Sequence, residues 1–215
     1  MASDFSQNKL ISINIKLTVS GYLRESQKLL PSSLIIPDLI EHLCLAYYYN
    51  DHNWDTKYIF ETMKLKNNII SLTTQGSCTA FLNNIIYSGK HYWRFKIISC
   101  RDGYEGSITI GIWNIKDKLD NSGQRPIDTN FTYGMSSSYG LRANIGKKIH
   151  IGYSQKYAIP CKRNDIIDMY VDFDKLELKF SINEIDYGIA YNITQGNYIA
   201  AVALYHEVDS VKLIF

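Results

Sequence analysis

The side chains that could carry out catalysis are spread along this chain and are not grouped. Its five histidines are His42, His52, His91, His150 and His206. The carboxylates best spaced for acid–base work are Asp172 and Asp174. They lie around a pattern typical of a hairpin turn, where aspartate is favoured because its side chain accepts hydrogen bonds from nearby backbone N–H groups. We therefore predict a turn here and no catalytic pair.

No motif for a cofactor, a metal ion or an activated nucleophile is present. The sequence contains no G-x-x-x-x-G-K-[ST], G-x-G-x-x-G, H-E-x-x-H or G-x-S-x-G pattern. The four cysteines include no C-x-x-C pair, so buried reduced thiols of an intracellular protein are expected, not a metal site. We predict a protein without enzymatic activity that needs neither a metal nor a cofactor.

The stretch Ser88–Ile98, SGKHYWRFKII, mixes basic and aromatic residues as nucleic-acid sites do. Its residues also alternate with the period of two that a half-buried strand requires. One face would carry His91, Trp93, Phe95 and Ile97, and the other Tyr92, Arg94 and Lys96. We predict a strand in which Trp93 and Phe95 are core, His91 is structural, and the opposite face is solvated.

The overall charge favours no partner of either sign. The chain of 215 residues has a net charge of +2 and no run of lysine or arginine, so we expect no nucleic-acid partner. No apolar run approaches the ~20 residues of a membrane helix, and the start, MASDFSQNKL, lacks a signal-peptide pattern. We expect a cytoplasmic monomer without a membrane partner. Frequent isoleucine, asparagine and lysine suggest an AT-rich genome, such as that of a protist.

The elements that would position any site fall into two regions. Residues 1–54 form an N-terminal extension, with an alternating strand at 11–19 and an amphipathic helix at 37–49, which we expect to pack on the main domain. Residues 55–215 form the main domain, a succession of short strand-like segments typical of an all-β sandwich or barrel. These segments are 57–64, 69–73, 78–82, 90–98, 107–113, 139–144, 148–153, 166–173, 176–182, 186–191, 198–204 and 208–214. Two turns within 166–191 predict a three-stranded meander.

Several of these segments together resemble the SPRY domain family. GKHYWRFKI resembles the family's Gly-x-His-Tyr-Trp strand, and ITIGIW at 108–113 resembles the strand that follows it. NDIIDMYVDFDKLELKFSINEIDYGIAY is similar to the family's closing meander, and NYIAAVALY and VDSVKLIF to its last strands. The resemblance covers roughly residues 55 to 215 and implies a sandwich of two curved antiparallel sheets.

Three departures make this a divergent match. Asn164 stands where the family has glycine, Tyr187-Gly188 replaces its Leu-Gly, and Asn183-Glu184 replaces its Asn-Gly turn. We expect Glu184 to need a positive φ, at a cost of about 1 kcal/mol. Gly188 predicts a bulge or a close backbone approach.

The resemblance implies a protein that binds a short peptide or a protein surface through loops at one end of the sandwich, as an adaptor or scaffold. By position, the family's loop aromatic falls at Tyr205, flanked by Leu204 and His206. The long loop 114–138, with Tyr133, and the loop 101–106, with Arg101 and Tyr104, are the other candidate walls. The alternative is an enzyme or a small-ligand-binding protein with an unrecognised site in the same loops.

Overall fold

Two antiparallel sheets built from thirteen strands make up the described part of the chain. The computed structural model describes residues 53–59, 61–101, 108–116 and 138–214, all within the unit Ala46–Phe215. The predicted strand 11–19 and helix 37–49 lie outside the described residues. The prediction of an all-β sandwich is confirmed.

One sheet has seven strands, and the other has six. In spatial order, the first contains β1 (Met63–Lys66), β2 (Ile69–Leu72), β13 (Ser210–Ile214), β4 (Lys90–Ser99), β9 (Ile166–Asp172), β10 (Glu177–Ile182) and β11 (Ile185–Asn192). The second contains β3 (Cys78–Ile86), β12 (Tyr198–Leu204), β5 (Ile108–Asn114), β6 (Tyr139–Arg142), β7 (Lys147–His150) and β8 (Tyr153–Lys156). The predicted meander is the β9–β10–β11 edge of the larger sheet.

The core fills the space between the sheets because each strand turns alternate apolar side chains inward. In β4, Trp93, Phe95 and Ile97 are buried as predicted, while Tyr92 and Lys96 on the opposite face stay partly exposed. Trp54 joins this core through a bridge to Leu82, and its indole N–H donates to the Asn68 carbonyl.

Two predicted strands differ most from the structure. The segment 57–64 begins as a 3₁₀ turn, Thr56–Tyr58, capped by the Asp55 carboxylate, and the strand starts only at Met63. The segment 148–153 is interrupted at Ile151 and Gly152, which both have positive φ and form a tight turn between β7 and β8. A positive φ cannot be read from an isoleucine, since β-branched residues seldom adopt it.

Candidate functional site

Three connections meet at one end of the sandwich. There, β2 leads to β3, β4 leads towards β5, and β12 leads to β13. The register places these strand ends together: Leu204 lies opposite both Cys78 and Ile108, and Ser210 lies opposite Ser99. We call this region the loop end. It includes Arg101, Tyr205 and His206, three of the residues that the sequence nominates.

A buried carboxylate, that of Asp209, organises the loop end. One of its oxygens accepts from the backbone N–H groups of Tyr205 (3.1 Å) and His206 (2.9 Å), and the other accepts from the N–H of Arg101 (3.2 Å). The N–H of Asp209 in turn donates to the carbonyl of His206 at 2.8 Å. Asp209 is fully buried, and hydrogen bonds to a charged acceptor are the stronger kind, so this one side chain holds two loops together.

The loop end presents exposed groups around this buried clamp. Arg101 is exposed, His206 is half-buried, and Val208 is 48% exposed. The Gln75 amide lies 3.4 Å from Nδ1 of His206, which ties the β2–β3 loop to the same surface. That loop lines a cleft of about 270 Å³ whose walls are about equally polar and apolar: Thr62, Leu72, Thr74, Gln75, Gly76, Ser77 and Cys78. The arrangement offers hydrogen-bonding groups and a cation on an ordered surface.

The two residues on either side of the β12 end face opposite ways. Leu204 was predicted to contact a partner. It is fully buried in the inter-sheet core, so its side chain offers no surface for that contact. Tyr205 is half-buried, its hydroxyl oxygen is enclosed, and its ring packs against a buried apolar cluster on the other face of the six-stranded sheet, which includes Phe81 and Trp113 with ring centroids 5.0 Å apart. Alternation along a strand makes this separation unavoidable for neighbouring residues.

Two further nominated residues, Tyr104 and Tyr133, lie outside the described residues. The described anchors of the long loop are informative nonetheless. Asn114, the last residue of β5, pairs with Tyr198 at the start of β12, whereas Tyr205 follows its end. A seven-residue strand spans roughly 20 Å, so Asn114 lies at the end of the sheet opposite the loop end.

His91, His150 and the thiol of Cys161 are held in the interior of the sandwich by hydrogen bonds, ring stacking or burial. His91 donates from Nε2 to the Ser88 carbonyl at 2.8 Å and stacks on Trp93, and His150 stacks on Tyr139 with ring centroids 4.3 Å apart. Burial, with smaller contributions from Asp165 and Cys100, raises the pKa of the Cys161 thiol to about 12, which makes it a poor nucleophile.

The described ranges also contain no group of three His, Cys, Asp or Glu side chains placed to hold a metal ion. Of the helices within those ranges, none has the length and apolar character to cross a membrane.

Sequence reasoning missed Asp209 and a second cleft. Asp209 directly precedes β13 in EVDSVKLIF, and an acidic residue at the start of an apolar strand was the only available signal.

The second cleft, of about 410 Å³, lies on the outer face of the seven-stranded sheet and is lined by Tyr92, Asp168, Tyr170, Lys179, Phe180, Ser181, Glu184 and Asp186. It depends on cross-strand pairing, which the sequence does not display. Arg94 beside it is ion-paired with Asp168, so the predicted solvated face is correct only in part.

Comparison with known proteins shows which solved structures share this architecture. No protein-family model and no curated protein sequence matches the chain. Among solved structures, the SPRY domain of human HERC1 matches with a TM-score of 0.61 and 18% identity, over 75% of this chain and 96% of that one. The TRIM65 PSpry domain matches with a TM-score of 0.56 and 16% identity, over 80% and 98% of the two chains. A human SPRY domain matches with a TM-score of 0.52 and 14% identity, over 71% and 94%. The described part of the chain therefore has the SPRY fold.

Proposed function

We propose that this SPRY-like domain is a non-catalytic protein-interaction module that binds a short peptide or a protein surface at the loop end, as an adaptor or scaffold. The observation that carries the proposal is the Asp209 clamp, which fixes the backbone of Arg101, Tyr205 and His206 from within. A surface ordered before binding loses less conformational entropy when a partner arrives. Loops on a rigid sandwich are a common place for recognition.

The chemistry of the loop end suits a polar, extended partner. The exposed Arg101 can pair with a carboxylate, and the Gln75 and His206 side chains offer hydrogen bonds beside the cleft of about 270 Å³. An intracellular location is part of the proposal, and it is supported by the buried, reduced thiol of Cys161.

The test compares two variants that attack the site differently. The double variant Arg101→Ala, His206→Ala removes one exposed and one half-buried side chain from the loop end. Asp209→Asn keeps every exposed side chain but places an amide NH₂ against backbone N–H donors, so it should loosen the loops. The matched control, Lys175→Ala with Asn197→Ala, removes exposed side chains at the opposite end.

Partners are captured with the full chain from lysate, identified, purified and titrated directly. We expect a partner that binds the wild type and the control alike but binds both loop-end variants at least tenfold more weakly. Equal affinity for all four proteins would contradict the site. A specific rise of several degrees in melting temperature with a nucleotide, metal ion or sugar would instead favour the small-ligand alternative.

A further inference from the structure

Four lysines share the outer face of the seven-stranded sheet, which borders the loop end. Lys64 and Lys66 lie on β1, Lys212 lies on β13 and Lys96 lies on β4. Lys212 is directly opposite Lys96, and it pairs on its other side with Ile69, which is itself opposite Lys66. We call this surface the lysine face.

Placing two lysines directly opposite each other is unfavourable for folding. Residues paired across antiparallel strands have Cα atoms only about 5 Å apart, and like charges in such pairs are destabilising. Within the described residues none of the four lysines forms an ion pair that would relieve this repulsion.

Elsewhere in the same sheet, cationic side chains of β4 lie opposite carboxylates of β9. β9 places Asp168 opposite Arg94 and Asp172 opposite Lys90, and both pairs are in contact. Opposite Lys96 the same strand supplies Ile166. The lysine face is thus a local concentration of positive charge on a chain whose net charge is only +2.

Apolar side chains lie among the lysines and narrow the choice of partner. Ile69 sits between Lys66 and Lys212, and Ile98 and Ile214 lie nearby, all three partly exposed. Sites that bind single-stranded nucleic acid stack the bases on aromatic side chains, and surfaces that insert into membranes present large side chains such as tryptophan, phenylalanine and leucine. The residues of the lysine face are lysines and isoleucines. Alternating charge and small apolar area better match a protein segment that carries both acidic and apolar residues.

We propose that the lysine face is a second docking surface, which binds an acidic segment of a protein partner with glutamate or aspartate over the lysines and aliphatic side chains against the isoleucines. It borders the proposed loop-end site but uses different side chains, so the two proposals are tested by different variants. The repulsion between Lys212 and Lys96 then lowers the stability of the fold, while the same two charges strengthen binding of the acidic segment.

The test uses the full chain and a fluorescent peptide rich in glutamate and leucine, with a glutamine-for-glutamate peptide as the uncharged reference. Lys212→Glu should weaken binding of the acidic peptide about tenfold and also raise the melting temperature, since the introduced carboxylate would then face Lys96. The matched control is Lys156→Glu, which also lies opposite a lysine, Lys147, but on the other sheet. It should leave peptide affinity unchanged, and added salt should weaken wild-type binding.

Three results would overturn the proposal. The first is a wild type that does not distinguish the acidic from the uncharged peptide, and the second is an equal loss from Lys156→Glu. The third is Lys212-dependent binding of a single-stranded oligonucleotide or of phosphatidylserine vesicles in place of the peptide. Independence from the loop end is checked with Arg101→Ala, His206→Ala, which should bind the acidic peptide like the wild type.

Discussion

Arg94 on β4 and Asp168 on β9 form a two-pronged ion pair on the outer face of the seven-stranded sheet. Nε of Arg94 donates to one carboxylate oxygen at 2.6 Å, and Nη2 donates to the other at 3.3 Å. The Tyr92 hydroxyl and the Ser181 hydroxyl also donate to this carboxylate. The hydrogen bond and charge of Asp168 raise the pKa of the guanidinium, although burial acts the other way. A single buried carboxylate therefore links β4, β9 and β10.

Replacing Asp168 with asparagine should destabilise the sandwich by about 2 kcal/mol, because it leaves Arg94 without its counter-charge while keeping the side-chain volume. Arg94 is 37% exposed, and water therefore limits the loss to less than that of a fully buried pair. The measurement is urea denaturation at neutral pH. Glu177→Gln makes the same chemical change in the ion pair with Lys179, whose carboxylate is more exposed, 18% against 8% for Asp168, and should cost under about 0.5 kcal/mol. Equal costs for the two would contradict this account.

The Asn183-Glu184 turn should become more stable when Glu184 is replaced by glycine. Both residues have positive φ, 51° and 70°, which confirms the strain expected from the sequence. Glycine adopts this conformation without penalty, so we expect a gain of about 1 kcal/mol in the free energy of unfolding. Glu184→Ala removes the same charge but keeps Cβ and should give little gain. A gain of equal size from alanine would attribute the effect to charge and not to backbone strain.

The inner half of the fold could be predicted because it obeys local rules. The alternation in Ser88–Ile98 and in 166–182 shows which side chains face the core, and the structure buries Trp93, Phe95 and Phe180 accordingly. The Asn183-Glu184 turn was visible from residue type and position. Each of these features depends on neighbours within a few residues.

The outer faces and the loop end depend on contacts between distant parts of the chain. Lys212 meets Lys96 only because β13 inserts between β2 and β4, and Asp168 meets Arg94 only because β9 pairs with β4. Asp209 reaches the N–H of Arg101 across 108 positions. No periodicity encodes these registers, so the clamp, the ion pair and the lysine face could not be predicted from patterns alone.

His91 should make the folded state less stable in mild acid. Burial lowers its pKa below the ordinary 6.5, and the hydrogen bond to the Ser88 carbonyl opposes this only in part. Above pH 6.5 the ring is neutral in both states. As the pH falls below 6.5 the unfolded chain takes up the proton first, so stability declines until the folded pKa is reached. Denaturation from pH 7.5 to pH 5 should show this decline, and His91→Phe, which keeps the stacking on Trp93, should reduce it. An NMR titration midpoint for His91 above 6.5 would contradict the sign.

Gly111 and Gly188 should respond very differently to alanine, because they are glycines for different reasons. A Cβ on Gly111 in β5 would lie 2.0 Å from the carbonyl oxygen of Tyr139, a backbone atom of the neighbouring strand that cannot move aside. We expect Gly111→Ala to cost about 3 kcal/mol or more. Gly188 has a φ of 77° near the register shifts of β10 and β11 and has open space around it, so a bulge, not a close approach, explains this glycine. Gly188→Ala should cost only about 1 kcal/mol, the usual penalty for a left-handed residue with a Cβ. Urea midpoints of the two variants measure the difference, and comparable losses would show that the β5–β6 contact is not the tighter constraint.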